Sequence, residues 1–193
     1  MKGKKIMIRE FSGDHFYLSN FYERKILYNG KTYSSTEHAY MAMKATNEED
    51  HELIRAQKTP KEAKKVSRKI KIRSDWEKVK DNIMYDVCLC KFTQHKDLGN
   101  LLLTTGECEI QEGNNWGDVY WGVCMGIGKN KLGKILMQIR DDLISISACP
   151  ESFKDELGIE DQITIGGFLR EVRERRKSKI NEDTNIYIDG APE

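Results

Sequence analysis

The sequence predicts an α+β fold: a mainly helical single domain with a small β-hairpin, followed by a C-terminal extension. Three observations predict it. A Ser or Thr followed three residues later by Glu, the signature of a helix start, recurs at Ser34–Glu37, Thr59–Glu62 and Ser74–Glu77. A single Asn29-Gly30 pair separates two β-forming runs. Helices and hairpin then come in blocks rather than as alternating βαβ units.

The elements follow in order. Ile6–Phe11 alternates apolar and polar residues and reads as a strand. Lys25–Tyr33 reads as a hairpin, because Asn-Gly tolerates the positive φ that a type I′ turn needs at both centres. With Ser34 as N-cap and Glu37 at N3, a helix runs from Ser35 to about Ala45. Thr59-Pro60-Lys61-Glu62 opens another, with Pro at the first position, where its missing N–H costs nothing. Ser74 caps a long helix to about Thr93, with Trp76, Val79, Ile83, Val87 and Cys90 at core spacing. Asp97–Leu103 is a short helix.

Gly99–Gly133 is different: eight of the 15 glycines and two of the three tryptophans fall there. That composition predicts loops, with short strands at Glu109–Glu112 and Val119–Gly122. Leu132, Ile135, Leu136, Ile139 and Leu143 form the stripe of a last regular helix, and Cys149-Pro150 ends the unit. The domain is expected over residues 1–145. Residues 146–193 are a polar extension with one helix at Gly167–Ile180, whose alternating charges suit a solvated face.

Composition narrows the function classes. The chain has 193 residues, 38% hydrophobic and 33% charged, with 3 Pro, which excludes disordered and collagen-like chains. No apolar run approaches the ~18–20 residues of a membrane span. Met1–Lys5 is basic, but Arg9 and Glu10 interrupt any signal-like stretch, so a cytoplasmic protein with no membrane partner is expected. The net charge of +1 selects no partner. Five cysteines without CxxC or Cys/His spacing argue against disulfides and structural zinc.

Four constellations stand out. On a helix, Glu37, Tyr40, Met41 and Lys44 share one stripe. Burial there would raise the Glu pKa, lower the Lys pKa and leave an amine able to attack carbon. The plainer readings are a capping-box acid and a surface amine, with His38 structural. Glu107–Glu112 and Gly113–Gly122 interleave carboxylates, Asn, Gly and Trp, as suits an aromatic or sugar ligand or a tight surface loop. Gly126–Gly133 resembles a phosphate-binding turn only weakly, and Asn130 equally suits the cap of the next helix. Finally, eight Lys or Arg between Lys58 and Arg73 face a single acid, Glu62: a solvated face or a phosphate-binding one.

Taken in order, these segments resemble the NADAR family of N-glycosidases. The resemblance rests on Phe16–Phe21, Ser35–Tyr40 with Lys44-Ala45, Thr59–Ala63 with Arg68, Asp75–Glu77 and Lys91-Phe92. It continues through Leu102–Gly106, Glu112, Asp118, Trp121-Gly122, Gly128–Lys134, Leu136-Met137 and Arg140. It covers about residues 6–143; the extension lies outside it. Met41 stands where the family often has Gln, and Ser67 where Gly often precedes the Arg.

The resemblance implies hydrolysis of N-glycosidic bonds in ribosyl phosphates: removal of ADP-ribose from guanine in nucleic acid, or breakdown of riboflavin-pathway intermediates. Lys44 would attack the anomeric carbon and form a Schiff base, with Glu37, Glu112 or Asp118 moving protons. Trp76 and Trp121 would pack on base or ribose, Arg68 would hold phosphate, and Ser19, Asn20, Phe21, Tyr40 and Asn130 would complete the substrate contacts. No cofactor or metal is expected: the imine route asks for none, and the chain lacks a His/carboxylate ligand cluster. The alternative is a non-catalytic module that binds ADP-ribose or nucleic acid.

Overall fold

The computed structural model describes residues 6–147. The expectations for Gly167–Ile180 and Cys149-Pro150 lie outside the described residues. The first described elements are β1 (Met7–Ile8) and a 3-10 helix at Gly13–Leu18. The hairpin β2 (Ile26–Tyr28) and β3 (Lys31–Tyr33) follows, with Asn29 at φ 49° and Gly30 at φ 74°, as a type I′ turn demands.

Next come α1 (Thr36–Ala42), α2 (Glu48–Arg55), α3 (Pro60–Ser67), α4 (Trp76–Gln94) and α5 (Lys96–Thr104). The Gly-rich region gives only β4 (Glu109–Ile110), β5 (Gly113–Asn114) and β6 (Val123–Cys124), before α6 (Lys131–Ser147) closes the domain. β1 pairs in parallel with β4, and β5 with β6. Every residue of α1 is buried, among α2, α3 and α4. α4 packs against α6 with Ile83, Val87 and Phe92 in the core. Among the described residues, no helix is long and apolar enough to cross a membrane.

Three local expectations need correction. The N-cap of α1 is Ser35, whose side chain accepts from the His38 amide, so Glu37 stands one position earlier than a capping box requires. Its carboxylate is therefore free of the helix end. α4 starts after Asp75 with no side-chain cap, because the Asp75 carboxylate is taken by Arg73 at 2.6 Å. Val119–Gly122 is a turn rather than a strand: Asp118 Oδ1 accepts from the amides of Tyr120 (3.0 Å) and Trp121 (2.8 Å). By contrast, Thr59, Pro60 and Glu62 form the full capping box that their sequence predicts.

Candidate active site

Two runs of backbone frame a pocket of about 680 Å³. One is the loop Ser19–Phe21, seated on the start of α1: the Asn20 carbonyl accepts from the Glu37 amide at 3.1 Å and from Thr36 Oγ1 at 3.2 Å. The other is the Gly-rich stretch after β4, which brings in Glu112, Trp116, Asp118, Tyr120 and Trp121. Gly122 permits this approach, since a Cβ there would sit 2.2 Å from the Glu112 carbonyl and 3.0 Å from its Oε2. α1 and α4 supply the floor, and α3 supplies a basic wall of Lys61, Lys64 and Arg68.

Lys44 lies in the turn just past α1 rather than in the helix. Its backbone is fixed from both sides: its amide donates to Met41, and its carbonyl accepts from the Arg73 amide at 3.0 Å. The ammonium rests against Tyr40 and Trp76, 5.7 and 5.4 Å from their ring centroids. Burial depresses its pKa; Glu37 opposes that shift, and the Lys64, Arg68 and Lys80 charges reinforce it. Tyr40 contacts Trp76 at 5.0 Å and Trp121 at 5.6 Å between centroids, making one aromatic wall.

The acids differ in their surroundings. Glu37 is buried and its Oε1 has no hydrogen-bond partner. Lys64 Nζ stands 3.7 Å away, within ion-pair range but beyond a hydrogen bond. Burial raises the Glu37 pKa against the pull of Lys64 and Lys44. Glu112 is pushed up to about 7, by burial first and then by the Asp118 charge. Its Oε2 is also without a partner. Asp118 spends one oxygen holding its own turn. The pocket thus joins a desolvated amine to two carboxyl groups that burial biases toward protonation.

Residues 8–144 match the NADAR domain family model. The chain belongs to the NADAR family. It is 37% identical over 135 residues to N-glycosidase YbiA of Escherichia coli, spanning 68% of this chain and 84% of that one. N-glycosidase Npun_R5314 of Nostoc punctiforme is 36% identical over 131 residues, 65% of this chain and 83% of its own length. Riboflavin biosynthesis protein VVA0006 of Vibrio vulnificus is 33% identical over 133 residues, 67% of this chain but 36% of that longer protein. The NMR structure of E. coli YbiA superposes with a TM-score of 0.69 at 34% identity, covering 78% of this chain and 92% of that one. The mixed helix-and-strand fold is therefore the YbiA fold, and the chain is an enzyme of the N-glycosidase class.

Within this NADAR domain, Ser19, Asn20, Phe21, Glu37, Tyr40, Lys44, Arg68, Trp76, Glu112, Asp118 and Trp121 all line the same pocket. Asn130 does not. It sits behind the wall: its Oδ1 accepts from the Glu112 amide at 3.0 Å, and its Nδ2 donates to the Ile110 carbonyl at 2.8 Å. The Asn20 side chain also points inward, donating to Met84 Sδ at 3.1 Å. His38 is structural, bound to Ser35 Oγ and the Gln57 carbonyl.

Of the basic segment, only Lys61, Lys64 and Arg68 line the pocket. Their spacing of three and four along α3 was the available signal. Lys80 and Tyr120, in cation–π contact at 4.0 Å, were not legible as pocket residues. The two departures from the family pattern meet each other, Ser67 Oγ donating to Met41 Sδ at 3.0 Å. Among the described residues one His/carboxylate group exists after all: ligand atoms of Glu48, His51 and Glu52 lie within 4.8 Å of one another. None of the three lines the pocket, and the Lys31 ammonium already pairs with Glu48 and Glu52.

Proposed function

We propose that the domain over residues 1–145 hydrolyses the N-glycosidic bond of a ribosyl phosphate. ADP-ribose carried on a guanine base and riboflavin-pathway intermediates are the two substrates of this class that the family resemblance implies. The reading rests on one observation: a desolvated Lys44 shares a pocket with Glu37 and Glu112, each with a carboxyl oxygen left without a hydrogen bond. Such a pocket lies within the ~300–1,000 Å³ of small-molecule sites. Lys61, Lys64 and Arg68 at one side suit phosphates, and the Tyr40–Trp76–Trp121 wall suits a base or ribose face. The relative VVA0006, which carries riboflavin biosynthesis in its name, supports the small-molecule member of the class.

The neutral Lys44 amine attacks the anomeric carbon, and the C1′–N bond breaks. The departing base takes a proton from a carboxylic acid, for which Glu112, titrating near 7, is suited. The Lys44 adduct opens the ribose ring, with O4′ gaining a proton, to give an imine. Water adds to that carbon, the Lys44 amine leaves, and the sugar closes again. Glu37 and Asp118 face the cationic centre and lower its energy in a poorly hydrated site.

The experiment is incubation with an ADP-ribosylated guanine oligonucleotide and mass spectrometry, beside a borohydride-quenched sample. Free ADP-ribose and a reduced adduct on the Lys44 peptide are expected. Lys44→Met is expected to lose several orders of magnitude in turnover and all of the adduct. Retention of more than about a tenth of wild-type turnover would remove Lys44 as nucleophile. Binding without release would favour a non-catalytic reader.

A further inference from the structure

Glu37 is a buried carboxylate whose nearest cation does not quite reach it. Lys64 Nζ stops 3.7 Å from an oxygen that has no other partner. The lysine is not locked there. Its side chain is 38% exposed, against 5% for Glu37, and it lies along the Phe21 ring at 5.5 Å. It shares a helix face with Lys61 and Arg68, so it belongs both to the buried acid and to the basic wall at the pocket side. An ammonium has three donors on a flexible stem. A phosphate entering along that wall offers it shorter, charge-assisted bonds than the one it makes with Glu37.

The remaining charges decide the fate of Glu37 when Lys64 turns away. Glu37 then faces Lys44 from its own chain segment, with Asp118 and Glu112 opposite on the Gly-rich stretch. Two of those three neighbours are carboxyl groups. An anionic substrate adds more negative charge, so the protonated form of Glu37 gains on the ionised one.

We propose that Lys64 couples phosphate recognition to acid catalysis: it leaves Glu37 for a phosphate of the substrate, and Glu37 then takes a proton from solvent and holds it for the ribose ring oxygen. The proton is balanced by the substrate's negative charge, and it passes to O4′ as the ring of the Lys44 adduct opens, which returns Glu37 to a carboxylate facing the cationic imine. Two acids then have distinct duties, since Glu37 is loaded by binding whereas Glu112 titrates by itself. For its substrate this rests on the N-glycosidase reading, but its test requires no turnover.

The test is calorimetric binding of ADP-ribose whose sugar carbonyl has been reduced with borohydride. That ligand forms no imine, and its diphosphate does not titrate near neutrality. Titration at pH 7 in buffers of different ionisation enthalpy gives the protons taken up. Wild type is expected to take up between about half a proton and one proton, since a single carboxyl crosses its titration range. Lys64→Met and Glu37→Gln are each expected to lose at least half of that uptake, Lys64→Arg to keep it, and Glu112→Gln to keep most of it. Lys64 is half-exposed, so its replacement leaves the core intact. No binding, no uptake by wild type, or uptake that survives Lys64→Met or Glu37→Gln would overturn the proposal. Normal uptake in a protein that releases no ADP-ribose from guanine would leave it standing while the substrate reading falls.

Discussion

Ser67 and Met41 touch: the single Ser67 hydroxyl proton is shared between the Met41 thioether at 3.0 Å and the Lys64 carbonyl at 2.9 Å. Met41 lines the pocket, and both side chains are buried. The two residues therefore act as a unit, tying the end of α3 to the pocket face of α1. Met41→Gln and Ser67→Gly are expected to be non-additive in stability, with a coupling of roughly 0.5–1 kcal/mol. A double-mutant cycle by urea unfolding measures it, and additivity would show the contact to be energetically idle.

Glu112 makes folding pH-dependent in a predictable direction. Its pKa is about 7 folded, against 4.5 ordinarily. Between those values the folded state binds more protons than the unfolded chain, so this group lowers stability as pH rises through the window. Above 7 the full penalty applies; below 4.5 none remains. Glu112→Gln is expected to flatten this slope and to melt roughly 2–4 °C above wild type at pH 8. In wild type kcat/KM is expected to fall as pH climbs past 7, and the same variant is expected to lack that fall.

Lys91 works in the opposite sense. Its ammonium is buried and donates to the Ser19 carbonyl at 2.8 Å, and burial lowers its pKa to about 7. From 7 to 10.5 the unfolded chain binds the extra proton, so stability climbs with pH over that range. Lys91→Met is expected to abolish the climb, as followed by urea midpoints at pH 7, 8 and 9. Because Ser19 belongs to the loop that seats α1, the variant is also expected to lose turnover.

Asn130 combines a left-handed backbone, φ 50°, with two hydrogen bonds that bracket Ile110 and Glu112. Asn130→Ala is expected to cost roughly 1–3 kcal/mol, since it leaves a buried carbonyl and an amide unpaired. Displacing Glu112 in this way should lower kcat more than it raises KM, which steady-state kinetics will read.

What the sequence disclosed was local. The Asn29-Gly30 turn and the Thr59 capping box are written in adjacent residues and need nothing from elsewhere. Glu37 was ambiguous for a local reason: Ser34, Ser35 and Thr36 are all capping residues, and the choice of Ser35 releases Glu37 from the helix end. In the Gly-rich region β4 falls within the strand expected at Glu109–Glu112, whereas β5 and β6 escaped notice because each is only two residues long, too short to show an alternating pattern. Lys91 was hidden by its own chemistry, since nothing in a charged residue announces burial. Asn130 was legible as important and illegible in role, because only the fold reveals that its amide faces the back of the pocket wall.

The parallel pairing of β1 with β4 bears on how the molecule comes into being. The Gln111 amide reaches the Ile8 carbonyl at 2.8 Å, and the Gly113 amide reaches the Arg9 carbonyl at 3.0 Å, closing a loop of about a hundred residues around Glu112. Closing a loop of that length is entropically costly and slow compared with forming helices. On a chain emerging from the ribosome, α1 and Lys44 can be in place long before Glu112 has its anchor. Lys44 and Glu37 thus come together early and Glu112 late, so the full set of catalytic groups is assembled only once β4 has met β1.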